Sequence, residues 1–194
     1  MFIDGPSGQI EAQFDQPRRT RVACTSILCQ PHPLYGGSMH DLVLDTVAQA
    51  LLANGISCLR FNFRGVGASA GSHDNGNGEI DDLLAAIEWV RSEYPNDRLM
   101  LTGYSFGAHV TWQTTERVSP EQVLLIAPPV GAMGFSDIRT EAVIHAIAGD
   151  QDDFVDCNKL QALAGVDAHI VEGADHFFAG QMGELRDQLD ALFK

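Results

Sequence analysis

The chain is poor in basic residues. Lysine and arginine together number 12 against 26 aspartates and glutamates, leaving a formal net charge of −14. That field repels nucleic acid and anionic lipid surfaces, so neither is an expected partner. Long apolar runs are missing too: no stretch approaches the roughly 20 residues that span a bilayer. The start, Met1-Phe2-Ile3-Asp4-Gly5-Pro6, has no basic segment and no apolar segment, and does not read as a signal peptide. Cysteine is scarce, with four residues and no C-x-x-C spacing, which argues against a cysteine-ligated metal site. Cys24, Cys29 and Cys58 fall in apolar, strand-like segments. They are expected to be reduced core residues of a cytoplasmic protein. No linker, internal repeat or low-complexity tract breaks the sequence.

What remains is the composition of a soluble globular protein, with 194 residues, 45% of them hydrophobic and 20% charged. One domain spanning 1–194 with a sizeable core is expected. Strand-like and helix-like segments alternate. Strands are expected at 9–14, 21–29, 56–63, 98–102, 122–127, 142–148 and 168–171. Helices are expected at 39–54, 79–94, 108–117, 156–164 and 180–193. The first helix puts Leu42, Val43, Val47, Ala50 and Leu51 on one face and stops at Asn54-Gly55; the second is barred from continuing by Pro95. The apolar residues of the last helix, Met182, Leu185, Leu189, Leu192 and Phe193, are expected to face the core. Strands separated by helices imply an α/β fold: a mostly parallel sheet with helices on both faces. Ligands bind such sheets beyond the C-terminal ends of the strands. The longest irregular stretch is 64–78.

Gly103-Tyr104-Ser105-Phe106-Gly107 sits between a strand and a helix. A serine on so sharp a turn is exposed for attack, and the crowded turn needs glycines on either side. Its hydroxyl becomes a useful nucleophile only when a base takes the proton. Downstream lie His145, His169 and His176. The first two fall within expected strands, where a packed or edge histidine is the simpler reading. His176 follows the last strand, where a loop can reach back to the serine. An acid should orient the histidine. The turn after the strand at 142–148 offers Asp150, Asp152 and Asp153, and the residues alone leave the choice among them open. An oxyanion hole needs two N–H groups: one from Phe106, the other from the loop 30–38.

These segments resemble a compact bacterial branch of the α/β-hydrolase superfamily, whose members look like minimal esterases without a lid. The resemblance rests on Pro31-His32-Pro33-Leu34-Tyr35-Gly36-Gly37-Ser38-Met39, on Arg60-Phe61-Asn62-Phe63-Arg64-Gly65-Val66-Gly67-Ala68-Ser69, and on the Ser105 turn. It implies an α/β-hydrolase fold with no cap domain, since only 128–141 separates two strands where many relatives insert one. The family's Gly-x-x-Asp-x-x-Val pattern fits Gly149, Asp152 and Val155 and picks Asp152. Its Gly-x-x-His pattern fits Gly173 and His176. It puts the second oxyanion N–H on Leu34, ahead of Tyr35. The implied activity is that of a serine carboxylesterase on small or short-chain acyl esters; the alternatives are a thioesterase, amidase or lactonase on the same triad, or a non-catalytic binding protein on a hydrolase fold. No metal and no organic cofactor is needed, and an open site suits a small-molecule ester. Tyr35, Phe106, Met133, Phe135, Phe177 and Phe178 are candidates for an apolar wall. His32 is expected to shape its loop, Glu79 to complement the positive end of a helix, and Arg64 to anchor the 64–78 loop on a carboxylate. The stretch 73–79 lacks the ligand pattern of a calcium loop. Oligomeric state is not legible.

Overall fold

A computed structural model describes residues 1–18 and 20–193. Eight strands form one sheet in the order β1-β2-β4-β3-β5-β6-β7-β8. They are β1 (Phe2–Gly5), β2 (Gly8–Asp15), β3 (Cys24–Cys29), β4 (Ser57–Phe61), β5 (Arg98–Tyr104), β6 (Gln122–Ile126), β7 (Val143–Gly149) and β8 (Val166–Val171). β1 and β2 form a hairpin, and β2 runs antiparallel to β4; every later pairing is parallel. Helices α1 (Leu42–Ala53), α2 (Asn77–Glu93), α3 (Phe106–Val118), α4 (Cys157–Ala162) and α5 (Met182–Phe193) supply the crossovers and the closing element. This is the α/β-hydrolase order. No helix interrupts the stretch 127–142 between β6 and β7, where a cap domain would enter.

The sheet is buried on both faces because helices cover both. α1 and α5 pack together over one face, where Leu28, Leu44, Leu51, Ile126, Phe178 and Leu189 form one apolar cluster. α2 and α3 pack together on the other, with Ile27, Leu59, Phe61, Leu83, Ile87 and Val110. A third cluster joins Trp112 of α3 to Val123, Leu125, Ile144 and Leu160. The central strands therefore read as continuous apolar runs, the signature of a doubly covered parallel sheet. Cys24, Cys29 and Cys58 are buried free thiols. Burial pushes the Cys24 thiol up to about 11 and Cys29 up to about 12, so neither is a thiolate at neutral pH. No helix among the described residues is long and apolar enough to cross a membrane.

Most element ends shift by one to three residues from the sequence expectation, and two differences have a physical reason. β1 was not expected at all: four residues ending in Gly5-Pro6 carry too little pattern, and pairing with β2 decides their conformation. The strand expected at 21–29 begins at Cys24, because the Cys24 N–H turns back to the Val22 carbonyl at 2.7 Å and the Val22 N–H goes to the Gly55 carbonyl at 2.8 Å, outside the ladder.

Candidate active site

The end of β5 and the start of α3 meet at Ser105, whose φ is 54° and ψ −119°. A non-glycine residue is rare there, and the strain persists only because its surroundings over-determine it. The Ser105 N–H is held by the Ile126 carbonyl at 2.9 Å, and its own carbonyl accepts from Ala108 at 2.9 Å. The flanking glycines are required by space. A Cβ on Gly103 would run into the Gly107 carbonyl. One on Gly107 would run into the Cys29 carbonyl and lie 2.5 Å from that of Gln30. The turn thus stacks directly against the end of β3.

Three residues from three strand ends converge on this turn. His176 Nε2 lies 2.8 Å from Ser105 Oγ, and His176 Nδ1 lies 2.7 Å from Asp152 Oδ2. Asp152 Oδ1 accepts from the Phe154 N–H at 2.8 Å, so both carboxylate oxygens are engaged. The neighbouring acids do something else: Asp150 accepts from the Gly173 N–H at 2.7 Å and ties the β7 turn to the histidine loop. Asp153 is exposed. Asp175 closes the loop from inside, accepting from the N–H groups of Phe177 and Ala179. Tyr104, buried beside Ser105, donates its hydroxyl to the His176 carbonyl at 3.0 Å. These bonds position the imidazole without using its nitrogens.

The Phe106 N–H lies at the first position of α3, where helix N–H groups have no partner inside the helix and the dipole is positive. Leu34 is placed differently from that. Its N–H is donated to Nδ1 of His32 at 3.2 Å, and Tyr35 gives its N–H to the His32 carbonyl at 3.1 Å. His32 does shape its loop, capping a single 3-10 turn at Pro33–Tyr35. Its ring packs on Tyr35, His73 and Phe106. Burial, and after it the neighbouring His73 imidazole, lowers its pKa and favours the neutral ring that accepts from Leu34.

A cleft of about 550 Å³ opens over Ser105, a size that suits a small organic molecule. Tyr35, Phe106, Met133 and Phe177 line it. Two expected wall residues do not. Phe135 packs on Trp112 and His109 instead, because the 127–142 stretch carries it past the cleft onto α3. Phe178 is fully buried under α5, turned inward at a φ of 52°. Two lining residues were missed. Phe154 packs on the His176 ring at 4.8 Å between centroids. Asp41 caps α1, accepting from Val43 at 2.9 Å, and also faces the cleft. Burial pushes its carboxyl above the usual carboxylate range, opposed by those backbone N–H groups and by a charge on His176.

The supporting loop is anchored as its residues imply. Arg64 donates Nε and Nη2 to the two oxygens of the buried Asp82, at 3.0 and 2.8 Å. Glu79, fully buried at the start of α2, accepts from the Gly76 and Asp74 N–H groups at 2.8 and 2.9 Å.

Known proteins bear on this arrangement directly. The family model described as "Serine aminopeptidase, S33" matches residues 34–150. A structure of an α/β serine hydrolase without a lid from Xanthomonas campestris is 39% identical, with a TM-score of 0.93, over 98% of this chain and 91% of that one. An α/β serine hydrolase homologue from Coxiella burnetii is 37% identical, with a TM-score of 0.95, over 100% of this chain and 96% of that one. An uncharacterised protein of Rickettsia prowazekii (strain Madrid E) is 34% identical over 92% of this chain and 81% of its own. The chain belongs to the serine aminopeptidase S33 family, among the lidless α/β serine hydrolases.

Proposed function

We propose that this protein is a serine carboxylesterase acting on small or short-chain acyl esters. The observation that carries the reading is the unbroken hydrogen-bond chain from Ser105 through His176 to Asp152. Ser105 Oγ attacks the ester carbonyl while His176 Nε2 takes its proton. His176 then returns that proton to the departing alkoxide, leaving an acyl-enzyme. Water, deprotonated by the same nitrogen, attacks the acyl group and releases acid and free serine. Asp152 holds the imidazole tautomer and stabilises its charged form. The Phe106 N–H receives the oxyanion. Leu34 supplies the second amide when the oxyanion displaces the His32 ring, a neutral acceptor at long distance. Each such donor contributes about 3 kcal/mol to lowering the barrier. The apolar cleft supports a short acyl or alkyl group. No cofactor enters the cycle.

One observation favours a second reading on the same triad. Asp41 puts a carboxylate in an otherwise apolar cleft, and an α-amino group is its natural counterion. Cleavage of an amide next to a free amine would use it. Turnover of nitrophenyl esters from acetate to octanoate, beside aminoacyl nitroanilides, separates the readings. Ester turnover abolished in Ser105→Ala supports the esterase. Turnover confined to aminoacyl amides replaces it with the peptidase. No turnover and no fluorophosphonate adduct on Ser105 would leave a non-catalytic binding protein.

A further inference from the structure

β7 and β8 are parallel, with His145 opposite Asp167 and Ile147 opposite His169. Side chains alternate along a strand, so Asp167 and His169 share a face, and the register puts His145 on that face too. Ile144, Ala146 and Ala148 point the other way, into the third apolar cluster. The result is two imidazoles and a carboxylate gathered on the surface of the sheet's last strand pair. His145 Nδ1 and His169 Nε2 each lie 3.2 Å from the same oxygen, Asp167 Oδ2. The three donor atoms all lie within 4.8 Å of one another.

Two features distinguish this cluster from an ordinary surface ion pair. His145 Nδ1 is buried and makes no hydrogen bond of acceptable geometry, despite its nearness to Asp167. It is a polar atom sealed from water with its lone pair or proton unused. The spacing is also that of a coordination shell. Ligands about 2.0–2.1 Å from a tetrahedral ion stand about 3.3 Å apart, close to the two 3.2 Å separations present here. We propose that His145, Asp167 and His169 form a binding site for a divalent transition ion of the zinc class. Two imidazoles and one carboxylate without thiolate select zinc, nickel, cobalt or copper over magnesium or calcium. Asp167 is 63% exposed, so an ion has an entry path and a position for water. The net charge of −14 favours its approach.

The site is apart from the chemistry. His145 lies four residues before the last residue of β7, roughly 13 Å back along a strand from the Asp152 turn. An ion there clasps the edge strand β8 to β7. β8 leads into the loop carrying His176, so the ion's effect is to hold that edge and not to enter the reaction.

The test uses the intact protein and zinc sulfate alone, measured by titration calorimetry and by thermal unfolding with zinc or with EDTA. The expected result is one zinc ion per chain at micromolar or tighter affinity, and a rise in Tm on adding zinc. Binding should weaken at least tenfold in His145→Gln and in His169→Gln. Asp167→Asn, at the most exposed position, gives the same loss with the least risk to folding. Cobalt should give the visible absorption of a tetrahedral N/O site in the parent and not in these variants. His176→Ala should keep full stoichiometry. No binding at 100 µM zinc overturns the proposal. So does binding that survives the three substitutions or disappears with His176.

Discussion

Asp152 engages His176 Nδ1 with one carboxylate oxygen and the Phe154 N–H with the other, at 2.7 and 2.8 Å. The second bond fixes the plane of the carboxylate, so the first points along the imidazole's N–H. Asp152→Asn replaces an acceptor with an amide that can turn its NH2 toward Nδ1, stabilising the tautomer with its proton on the wrong nitrogen. The expected loss in kcat is about 10⁴-fold, with KM on a nitrophenyl ester little changed. Asp150→Asn, whose carboxylate meets only a loop N–H and a neighbouring amide, should lose far less. Steady-state kinetics of the pair checks the assignment; equal losses would remove Asp152 from its role.

Why the acid was hard to choose from sequence is visible in the same turn. Asp150, Asp152 and Asp153 occupy four residues, and which one points at the histidine depends on the turn's dihedrals and on a loop 24 positions away. Only the family pattern separated them. Ser105 and His176 were easier, because a strand–turn–helix and a post-strand loop are local signals. The parallel sheet was legible for a similar reason, since strands buried on both faces are apolar throughout. Phe154 and Asp41 were missed because one lies on an acidic turn and the other fell inside the helix expected from residue 39, whereas it caps a helix that starts at Leu42. Phe135 and Phe178 misled because aromatic residues near a site carry no mark of direction. The His145 cluster was read as two strand histidines. Asp167-Ala168-His169 does show the alternation, but the cross-strand register that adds His145 is a property of the sheet.

Gly107→Ala tests the packing of the Ser105 turn. The added methyl meets the backbone carbonyls of Cys29 and Gln30, which cannot swing aside as a side chain can. Overpacking of this kind costs roughly 1–3 kcal/mol or more, and it levers α3 off the end of β3. The expected outcome is a lower midpoint in urea and a loss of activity larger than the stability change explains. Gly134→Ala is the control: nothing lies within 4 Å of its added Cβ, and its stability should be unchanged.

Glu11 predicts a pH signature. Its carboxylate accepts from the Ala68 N–H and from Asn62 Nδ2, each at 2.8 Å. Those bonds hold its pKa below the ordinary value, the Ala68 N–H most strongly. A folded pKa below the unfolded one adds stability above the unfolded pKa, lost as pH falls through the folded value. Glu11→Gln should therefore lower the urea midpoint at pH 7, and the difference from the parent should shrink toward pH 3. A difference independent of pH would assign the effect to packing.

Asp41 separates the two catalytic readings. As a cap it accepts from Val43 and Leu44, a role that asparagine also fills. Asp41→Asn therefore keeps the helix start and removes only the charge. Burial raises the Asp41 pKa, so ionisation is costlier in the folded protein than in the unfolded chain. That penalty is present above the folded pKa and vanishes below the unfolded one. The variant should match or exceed the parent's stability at pH 8, with the advantage fading toward pH 3. A charge-assisted bond to an ammonium group is worth about 1.5–3 kcal/mol. If aminoacyl substrates are used, Asp41→Asn should lower their kcat/KM at least tenfold while butyrate ester turnover changes by less. A uniform change across both substrate classes would mean that the carboxylate does not read an amine, and the cleft would then be one for simple esters.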